Sequence, residues 1–274
     1  MTTSTDNIAF IGGGNMASAI IGGLLKNGLR PSQIQVIEPW AEQREKLAAQ
    51  FGIEALSAAA PALAAASLVV WAVKPQTFKE AAQQTRDYTA SALHLSVAAG
   101  IRSDSIAGWL GSERLVRAMP NTPALVGKGM TALFAREAVS SAERTLVENV
   151  IKTTGDYLWL HEESQLDAVT ALSGSGPAYV FYFIEAMLQA GLAMGLTREQ
   201  AHKLAVATFV GASELANASS EPPEVLRARV TSKGGTTYAA ITSMEQDQVK
   251  PLFIKAMQAA RLRAAELGDE FGAN

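Results

Sequence analysis

The chain contains no cysteine, which excludes disulfides, thiol catalysis and cysteine-ligated metal. Only three histidines occur in 274 residues, so we expect no metal site. The formal net charge of −3 gives no basic field that would attract nucleic acid or anionic membranes. No apolar run is long enough to span a bilayer, and residues 1–7 are too short and polar for a signal peptide. We therefore expect a cytoplasmic protein with a small-molecule substrate and no nucleic-acid or membrane partner.

The first half of the chain alternates short apolar runs with helical patterns. Strands are predicted at residues 8–11, 35–37, 68–73, 93–98 and 115–116. Helices are predicted at residues 15–25, 41–51, 57–66 and 103–110, the last with Ser103 as its cap. This alternation is typical of βαβ units, so we predict an α/β fold with a doubly wound parallel sheet.

The pattern changes in the second half of the chain. Ser140 and Glu143 form a capping box that predicts a helix to Lys152, and residues 157–160 predict a last strand. From about residue 163 the chain is predicted to be wholly helical, so we place a domain boundary between residues 161 and 162. The first domain, residues 1–161, is predicted to bind a dinucleotide, and the second, residues 162–274, to be all-helical.

One helix of the second domain predicts self-association. Pro177 suits the first turn of a helix that continues to about Met194 and is apolar nearly all round. A domain of about 110 residues buries such a helix with difficulty. A homodimer would cover it, and the alternative is a central core helix. Further helices are predicted after the capping box of Thr197 and Gln200 and at residues 249–267.

The first loop of the chain predicts a phosphate site. Gly12, Gly13 and Gly14 lie between a strand and a helix, and with Asn15, Met16 and Ala17 they match the pattern G-x-G-x-x-A. The first glycine permits a tight turn, the second allows backbone N–H groups to approach a pyrophosphate, and Ala17 allows close helix–strand packing. The alternatives are a structural turn or another nucleotide-derived ligand.

Glu38 ends the second predicted strand, where an acidic residue usually binds the adenosine ribose 2′-hydroxyl. A carboxylate there favours NADH and repels the 2′-phosphate of NADPH. The alternative is a solvated loop glutamate.

A second loop, residues 230–237, gathers four hydroxyls and Lys233 around Gly234 and Gly235. Adjacent glycines let the backbone approach a ligand closely, so the loop can offer several donors to a small carboxylate. The alternative function of its serine and threonines is to cap a helix.

Six segments together carry a family resemblance: residues 12–17 (GGGNMA), 72–76 (AVKPQ), 98–100 (AAG), 117–124 (RAMPNTPA), 173–179 (SGSGPAY) and 230–237 (VTSKGGTT). In this order, they resemble the pyrroline-5-carboxylate reductases, the last enzymes of proline synthesis. The resemblance implies a Rossmann domain followed by a helical dimerisation domain, with dimers often assembling into decamers. It implies reduction of a cyclic imine to L-proline by NADPH or NADH.

The resemblance also implies roles for individual residues. Those that line the cofactor, mostly through their backbone, are Val73, Lys74, Pro75 and Ala99. Those that contact the substrate are Glu163, Thr236 and Thr237, with Gly234 and Gly235 presenting N–H groups to its carboxylate and Ser232 in the same loop. Thr237 and Ser232 are the catalytic candidates, and the Thr237 hydroxyl is expected to orient the ring nitrogen or relay a proton to it. For Lys74 the alternative is a solvated ammonium whose segment acts only through its backbone.

Three positions depart from the family pattern. Lys233 stands where proline is usual, Glu38 and Pro39 replace residues that accompany NADPH preference, and residues 57–66 lack an asparagine often placed against the cofactor. A β-hydroxyacid dehydrogenase would need a lysine and an asparagine one turn apart on the first interdomain helix, and residues 179–183 contain neither. Another imine or ketone reductase and a non-catalytic dinucleotide-sensing scaffold are the remaining alternatives.

Overall fold

The computed structural model describes residues 7–272 and contains one seven-stranded sheet. Its strands are β1 (Ile8–Ile11), β2 (Ile34–Ile37), β3 (Leu68–Trp71), β4 (Leu93–Ser96), β5 (Leu115–Met119), β6 (Gly129–Ala135) and β7 (Gly155–Trp159). Their spatial order is β2-β1-β3-β4-β5-β6-β7. Neighbouring strands pair in parallel except β5 and β6, which are antiparallel. The predicted doubly wound α/β sheet is confirmed, with this one reversal added.

Strand β6 was not predicted, and it explains the reversal. Only nine residues, 120–128, join β5 to β6, and they form a 3₁₀ turn at Thr122–Val126. A parallel pairing needs a crossover of a dozen or more residues, so this short connection returns the chain antiparallel.

The helices of the sheet-containing part are α1 (Asn15–Lys26), α2 (Ala41–Phe51), α3 (Pro75–Thr89), α4 (Ser103–Leu110), α5 (Ser141–Ile151) and α6 (Gln165–Val169), followed by a π-helical turn at Thr170–Gly174. The remaining helices are α7 (Gly176–Ala193), α8 (Arg198–Ala218), α9 (Pro223–Arg229), α10 (Thr236–Gln246) and α11 (Val249–Gly272). Short 3₁₀ turns occur at Pro31–Gln33 and Pro61–Ala65. The capping boxes of Ser140 with Glu143 and of Thr197 with Gln200 are both confirmed.

Both faces of the sheet are buried under helices. Alternate β1 side chains enter two separate cores, Phe10 with Leu24 of α1 on one face and Ile11 with Phe78 of α3 on the other. This arrangement is the reason that the central strands β1 and β3 are continuously apolar rather than alternating.

The helix predicted at residues 57–66 was wrong. The structure has only the 3₁₀ turn Pro61–Ala65 there, and Leu56 instead forms a β-bridge with Ile37. Pro61 has no N–H to donate and holds Ala60 in an extended conformation, so a helix cannot continue through them.

The chain divides into two compact units. The second unit is Gly176–Ala259, which is all-helical, and the first comprises the remaining residues, including the end of α11 from Ala260. The boundary predicted at residues 161/162 falls within the first unit and stays a prediction about domain organisation. None of the helices in the described chain combines the length and apolar character that crossing a membrane requires.

Candidate active site

The glycine loop is shaped by close backbone contacts. Gly12 has φ +93°, and a Cβ there would lie 2.7 Å from the carbonyl oxygen of Ala72, so only glycine fits. Gly14 is the N-cap of α1, and a Cβ there would have no neighbour within 4 Å. The first turn of α1, which contains Asn15, Met16 and buried Ala17, has no acidic residue or side-chain cap. Its N–H groups are therefore suited to an anion.

A crevice of about 520 Å³ opens at the carboxyl ends of β1, β2 and β3. Its lining includes five residues that were predicted to bind the cofactor: Gly12, Gly14, Glu38, Val73 and Lys74. Pro75 follows as the first residue of α3, and Ala99 lies in the loop between β4 and α4. A crevice at this edge of a parallel sheet is where doubly wound folds bind dinucleotides.

Glu38 is buried and holds the glycine loop to the end of β2. Its Oε2 accepts a hydrogen bond from the Gly13 N–H at 2.8 Å, and its Oε1 accepts one from the Trp40 N–H at 3.0 Å. The residue is only 8% exposed, so the solvated alternative was wrong. Each carboxylate oxygen retains a second lone pair that can accept from a ribose hydroxyl.

Sequence reasoning assigned no role to three other residues around this loop. Gln43 donates from Nε2 to the Gly13 carbonyl at 2.6 Å, and Trp40 lines the crevice. Arg44 donates from Nη1 to the backbone carbonyls of Glu38 and Pro39. The available signal was their position between the end of β2 and the first turn of α2.

Glu163 is the centre of a polar network in the first unit. Its carboxylate accepts hydrogen bonds from the Ser103 N–H at 2.6 Å, the Ser103 hydroxyl at 2.6 Å and the Arg117 guanidinium at 2.5 Å. The Arg136 guanidinium also donates to the Ser103 hydroxyl at 3.0 Å. Burial raises the pKa of neighbouring Asp167, an effect that Arg117 partly opposes.

This network corrects the predicted cap of α4. Ser103 is the first residue of α4, Arg102 is the N-cap, and no side-chain cap is formed within the helix terminus. The Ser103 N–H is instead satisfied by Glu163, which is sixty residues distant in sequence. The substrate contact predicted for Glu163 stays a prediction.

The loop between β4 and α4, which carries Ala99, is packed by the end of α11. Gly100 has φ +72°, and a Cβ there would lie 3.1 Å from the Leu267 Cβ and 3.4 Å from the Phe271 ring. Arg102 forms an ion pair with Asp269 at 2.5 Å. The last turns of α11 therefore fix the conformation of this loop.

The second predicted loop connects α9 to α10 in the second unit. Gly234 has φ +79°, and Gly235 is the N-cap of α10 with its N–H donated to the Ser232 carbonyl at 3.0 Å. Thr236 and Thr237 are the first two residues of α10, and both are exposed. No side chain caps this helix, so the capping alternative for the hydroxyls was wrong.

The N-terminus of α10 is suited to a carboxylate. The Gly235 N–H is already bonded, whereas the N–H groups of Thr236 and Thr237 precede the first intrahelical bonds. The first turn has no acidic residue, and the helix dipole adds partial positive charge. Two N–H groups and two hydroxyls thus lie at one helix end.

The crevice, the glycine loop and the buried acidic residue after β2 define a dinucleotide-binding protein with an additional helical unit. Comparisons with known proteins agree with this class. A family model described as pyrroline-5-carboxylate reductase dimerisation matches residues 163–267, and one described as NADP oxidoreductase, coenzyme F420-dependent, matches residues 7–100.

Full-length relatives make the assignment specific. The chain is 45% identical to a pyrroline-5-carboxylate reductase of Pseudomonas aeruginosa over 98% of this chain and 99% of that protein. The structure of the Coxiella burnetii pyrroline-5-carboxylate reductase aligns with a TM-score of 0.88 and 39% identity, covering 96% of this chain and 98% of that one. The Plasmodium falciparum pyrroline carboxylate reductase with NADP bound aligns with a TM-score of 0.87 and 29% identity, covering 97% and 99%. The chain belongs to the pyrroline-5-carboxylate reductase family, as its motifs predicted.

Proposed function

We propose that the protein reduces 1-pyrroline-5-carboxylate to L-proline with hydride from NADPH or NADH, the last step of proline biosynthesis. The observation that carries this proposal is the 45% identity to a pyrroline-5-carboxylate reductase along nearly the whole chain. The crevice above β1 to β3 gives the cofactor a site of the expected kind.

The first unit binds the cofactor. The pyrophosphate lies at the N-terminus of α1, beside Gly12, Gly14 and the first-turn residues Asn15, Met16 and Ala17. Val73, Lys74, Pro75 and Ala99 line the remainder of the dinucleotide. When bound, the reduced nicotinamide supplies the hydride.

Glu38 sets the preference between the two cofactors. Its carboxylate accepts from the adenosine ribose hydroxyls and repels a 2′-phosphate. Because Gly13 and Trp40 already hold both oxygens in place, the carboxylate does not turn away when NADPH approaches. NADH is therefore used at least as well as NADPH.

The loop before α10 binds the substrate. The N–H groups at the N-terminus of α10 hold the carboxylate, with Ser232, Gly234 and Gly235 shaping the approach to Thr236 and Thr237. An imine carbon accepts hydride best when its nitrogen is protonated, so the substrate reacts as the iminium. The Thr237 hydroxyl orients the ring nitrogen or relays its proton, and positioning is the main contribution to catalysis.

Assembly follows from the helical residues 162–274, which form the functional substrate-binding and dimerisation domain. The homodimer covers α7, and dimers associate further into a decamer. The enzyme works in the cytoplasm.

The direct test is to follow oxidation of NADH and NADPH in parallel, with and without 1-pyrroline-5-carboxylate, and to identify proline as the product. We expect oxidation that depends on the imine with both cofactors. No imine-dependent oxidation would reject the enzyme and leave a dinucleotide-sensing scaffold. A preference for NADPH above about a hundredfold in kcat/KM, roughly 2.7 kcal/mol, would reject the role of Glu38.

A further inference from the structure

Trp40 is an exposed aromatic residue on the wall of the cofactor crevice. It lies two residues after Glu38, as the N-cap of α2, and it is 71% exposed while lining the cavity. A single exposed apolar side chain needs no special explanation. A flat, largely accessible indole on the wall of a nucleotide crevice, however, is suited to stack against a base.

The ring has a defined position. The backbone N–H of Trp40 donates to the same Glu38 carboxylate that holds Gly13. The backbone that carries the indole is therefore tied to the glycine loop. The Lys74 ammonium lies 5.9 Å from the centroid of the indole ring, within the range of a cation–π interaction. Lys74 is exposed, so its ammonium faces solvent as well as the indole.

This contact crosses the crevice. Trp40 follows β2 and Lys74 follows β3, and these two strands flank β1 in the sheet. Strands separated by one neighbour are about 9.6 Å apart, so the two side chains must lean toward each other above the end of β1. Both residues line the crevice, together with Gly12 and Gly14 of the glycine loop.

The position along the groove identifies the part of the cofactor that meets Trp40. In a dinucleotide fold, the pyrophosphate lies at the N-terminus of the first helix and the acidic residue after the second strand contacts the adenosine ribose. Trp40 lies just beyond that acidic residue, and the lining of the same crevice includes the apolar residues Ile37, Pro39 and Ala81. The adenine is therefore the group that reaches this wall.

We propose that Trp40 is the stacking platform for the adenine of NADH and NADPH, and that Lys74 is a positioning residue that orients the indole. The inference rests on the proposed function only in taking NAD(P)H as the cofactor. Stacking does not distinguish a 2′-hydroxyl from a 2′-phosphate, so Trp40 contributes equally to both cofactors. Glu38 is the residue that discriminates between NADH and NADPH.

The test measures Trp40→Ala with cofactors that have or lack adenine. Loss of a base–aromatic stack should raise KM by about tenfold for both NADH and NADPH, with kcat retained. Inhibition by AMP should weaken by a similar factor. Trp40→Ala should leave the KM for reduced nicotinamide mononucleotide unchanged, because that cofactor has no adenosine. A merely structural role would reduce turnover with all three cofactors alike.

Two matched variants refine the test. Trp40→Phe keeps an aromatic face and should recover most of the affinity for AMP. Lys74→Met removes the cation and should weaken the binding of AMP by a smaller factor, about two- to fivefold. Unchanged inhibition by AMP in Trp40→Ala would overturn the proposal. Because AMP binding to the unmodified protein and to Trp40→Ala can also be measured by calorimetry, the outcome does not depend on turnover of the imine.

Discussion

At Glu163 a single carboxylate joins the N-terminus of α4 to a strand arginine. Its partner Arg117 is only 10% exposed and Glu163 is 25% exposed, so the ion pair is largely shielded from water. Glu163→Gln would leave the arginine without its counter-charge. Allowing for the exposed part of the pair, we expect a loss of about 2 kcal/mol in the free energy of unfolding, measured by urea denaturation. Glu270→Gln, which breaks a surface pair with Arg263, is the control and should cause no measurable change.

Substitution of Thr237 tests whether a hydroxyl of the second loop takes part in catalysis. Thr237→Ala should lower kcat with 1-pyrroline-5-carboxylate by at least about tenfold, because an orienting or proton-handling hydroxyl is removed. Thr237→Ser retains the hydroxyl and should recover most of the rate. Equal kinetics for the alanine variant and the unmodified enzyme would remove this hydroxyl from the mechanism.

His94 is a buried, neutral histidine in β4. The Trp71 indole N–H donates to its Nδ1 at 3.1 Å, so the proton of the neutral ring lies on Nε2. Within residues 7–272 the structure provides no partner for that nitrogen. Burial, with a smaller contribution from Arg114, lowers the pKa of His94 from 6.5 to about 4.

This lowered pKa predicts a stability that decreases in acid. Between pH 6.5 and about 4 the unfolded chain binds a proton at His94 and the folded chain does not, so stability falls as the pH falls through that window. The loss attributable to His94 between pH 7 and pH 4 is about 3 kcal/mol. His94→Gln, which can still accept from Trp71, should lose less stability over this range in urea titrations. His202→Gln, at an exposed position, should behave like the unmodified protein; equal pH dependence in all three would contradict the assignment.

At the scale of elements, the end of α11 acts on the loop between β4 and α4. Gly100 and Gly111 both have left-handed backbone conformations, and they flank α4. A Cβ at Gly111 would meet no atom within 4 Å, whereas one at Gly100 would press on Leu267 and Phe271. A comparison of substitutions at the two positions therefore separates the cost of a left-handed backbone from the cost of crowding against α11.

Alanine substitution at these two positions gives the test. Gly111→Ala should cost about 1 kcal/mol in unfolding free energy, from the left-handed backbone alone. Gly100→Ala should cost about 1–2 kcal/mol more, because α11 must also shift. Since the loop carries Ala99, the second variant should in addition raise the KM for NADH. Equal stability losses at the two sites would show that α11 does not constrain the loop.

Local signals were sufficient for some elements and not for others. The α2 bounds and the glycine loop follow from short-range features, namely helical periodicity and turn chemistry, and both were predicted correctly. Helix α3 was missed, although Phe78, Ala82, Thr85 and Thr89 repeat on one buried face. The false helix at residues 57–66 came from weighting alanine propensity above the effect of Pro61.

The candidate site divides in the same way. The glycines of the first loop and the hydroxyls of the second loop are each contiguous in sequence, so composition and spacing reveal them. The capping of α4 by Glu163 and the pairing of Trp40 with Lys74 join residues that are distant in sequence. Such contacts are set by sheet order and packing, which local periodicity does not determine.

At the scale of the whole molecule, the surface of α7 is the one that bears on self-association. The helix was predicted to be buried on every side, yet Phe181 is 65% exposed and Tyr182 is 70% exposed in the single chain. Both lie within the region matched by the dimerisation family model. Apolar exposure on this scale is typical of a surface covered by another subunit. The homodimer follows from the packing deficit of one chain together with its family.

Replacement of Phe181 tests how far stability depends on that contact. Phe181→Glu would place a charge where an apolar ring is expected to be covered, so the subunits should dissociate at micromolar concentration or lose much of their thermal stability. Phe181→Leu keeps an apolar side chain and should remain associated. Sedimentation velocity of the three proteins distinguishes these outcomes, and the unmodified chain should sediment as a dimer or a larger assembly. If Phe181→Glu sediments like the unmodified protein, Phe181 lies outside the interface, and a monomer for the unmodified chain would leave the exposed face of α7 without an explanation.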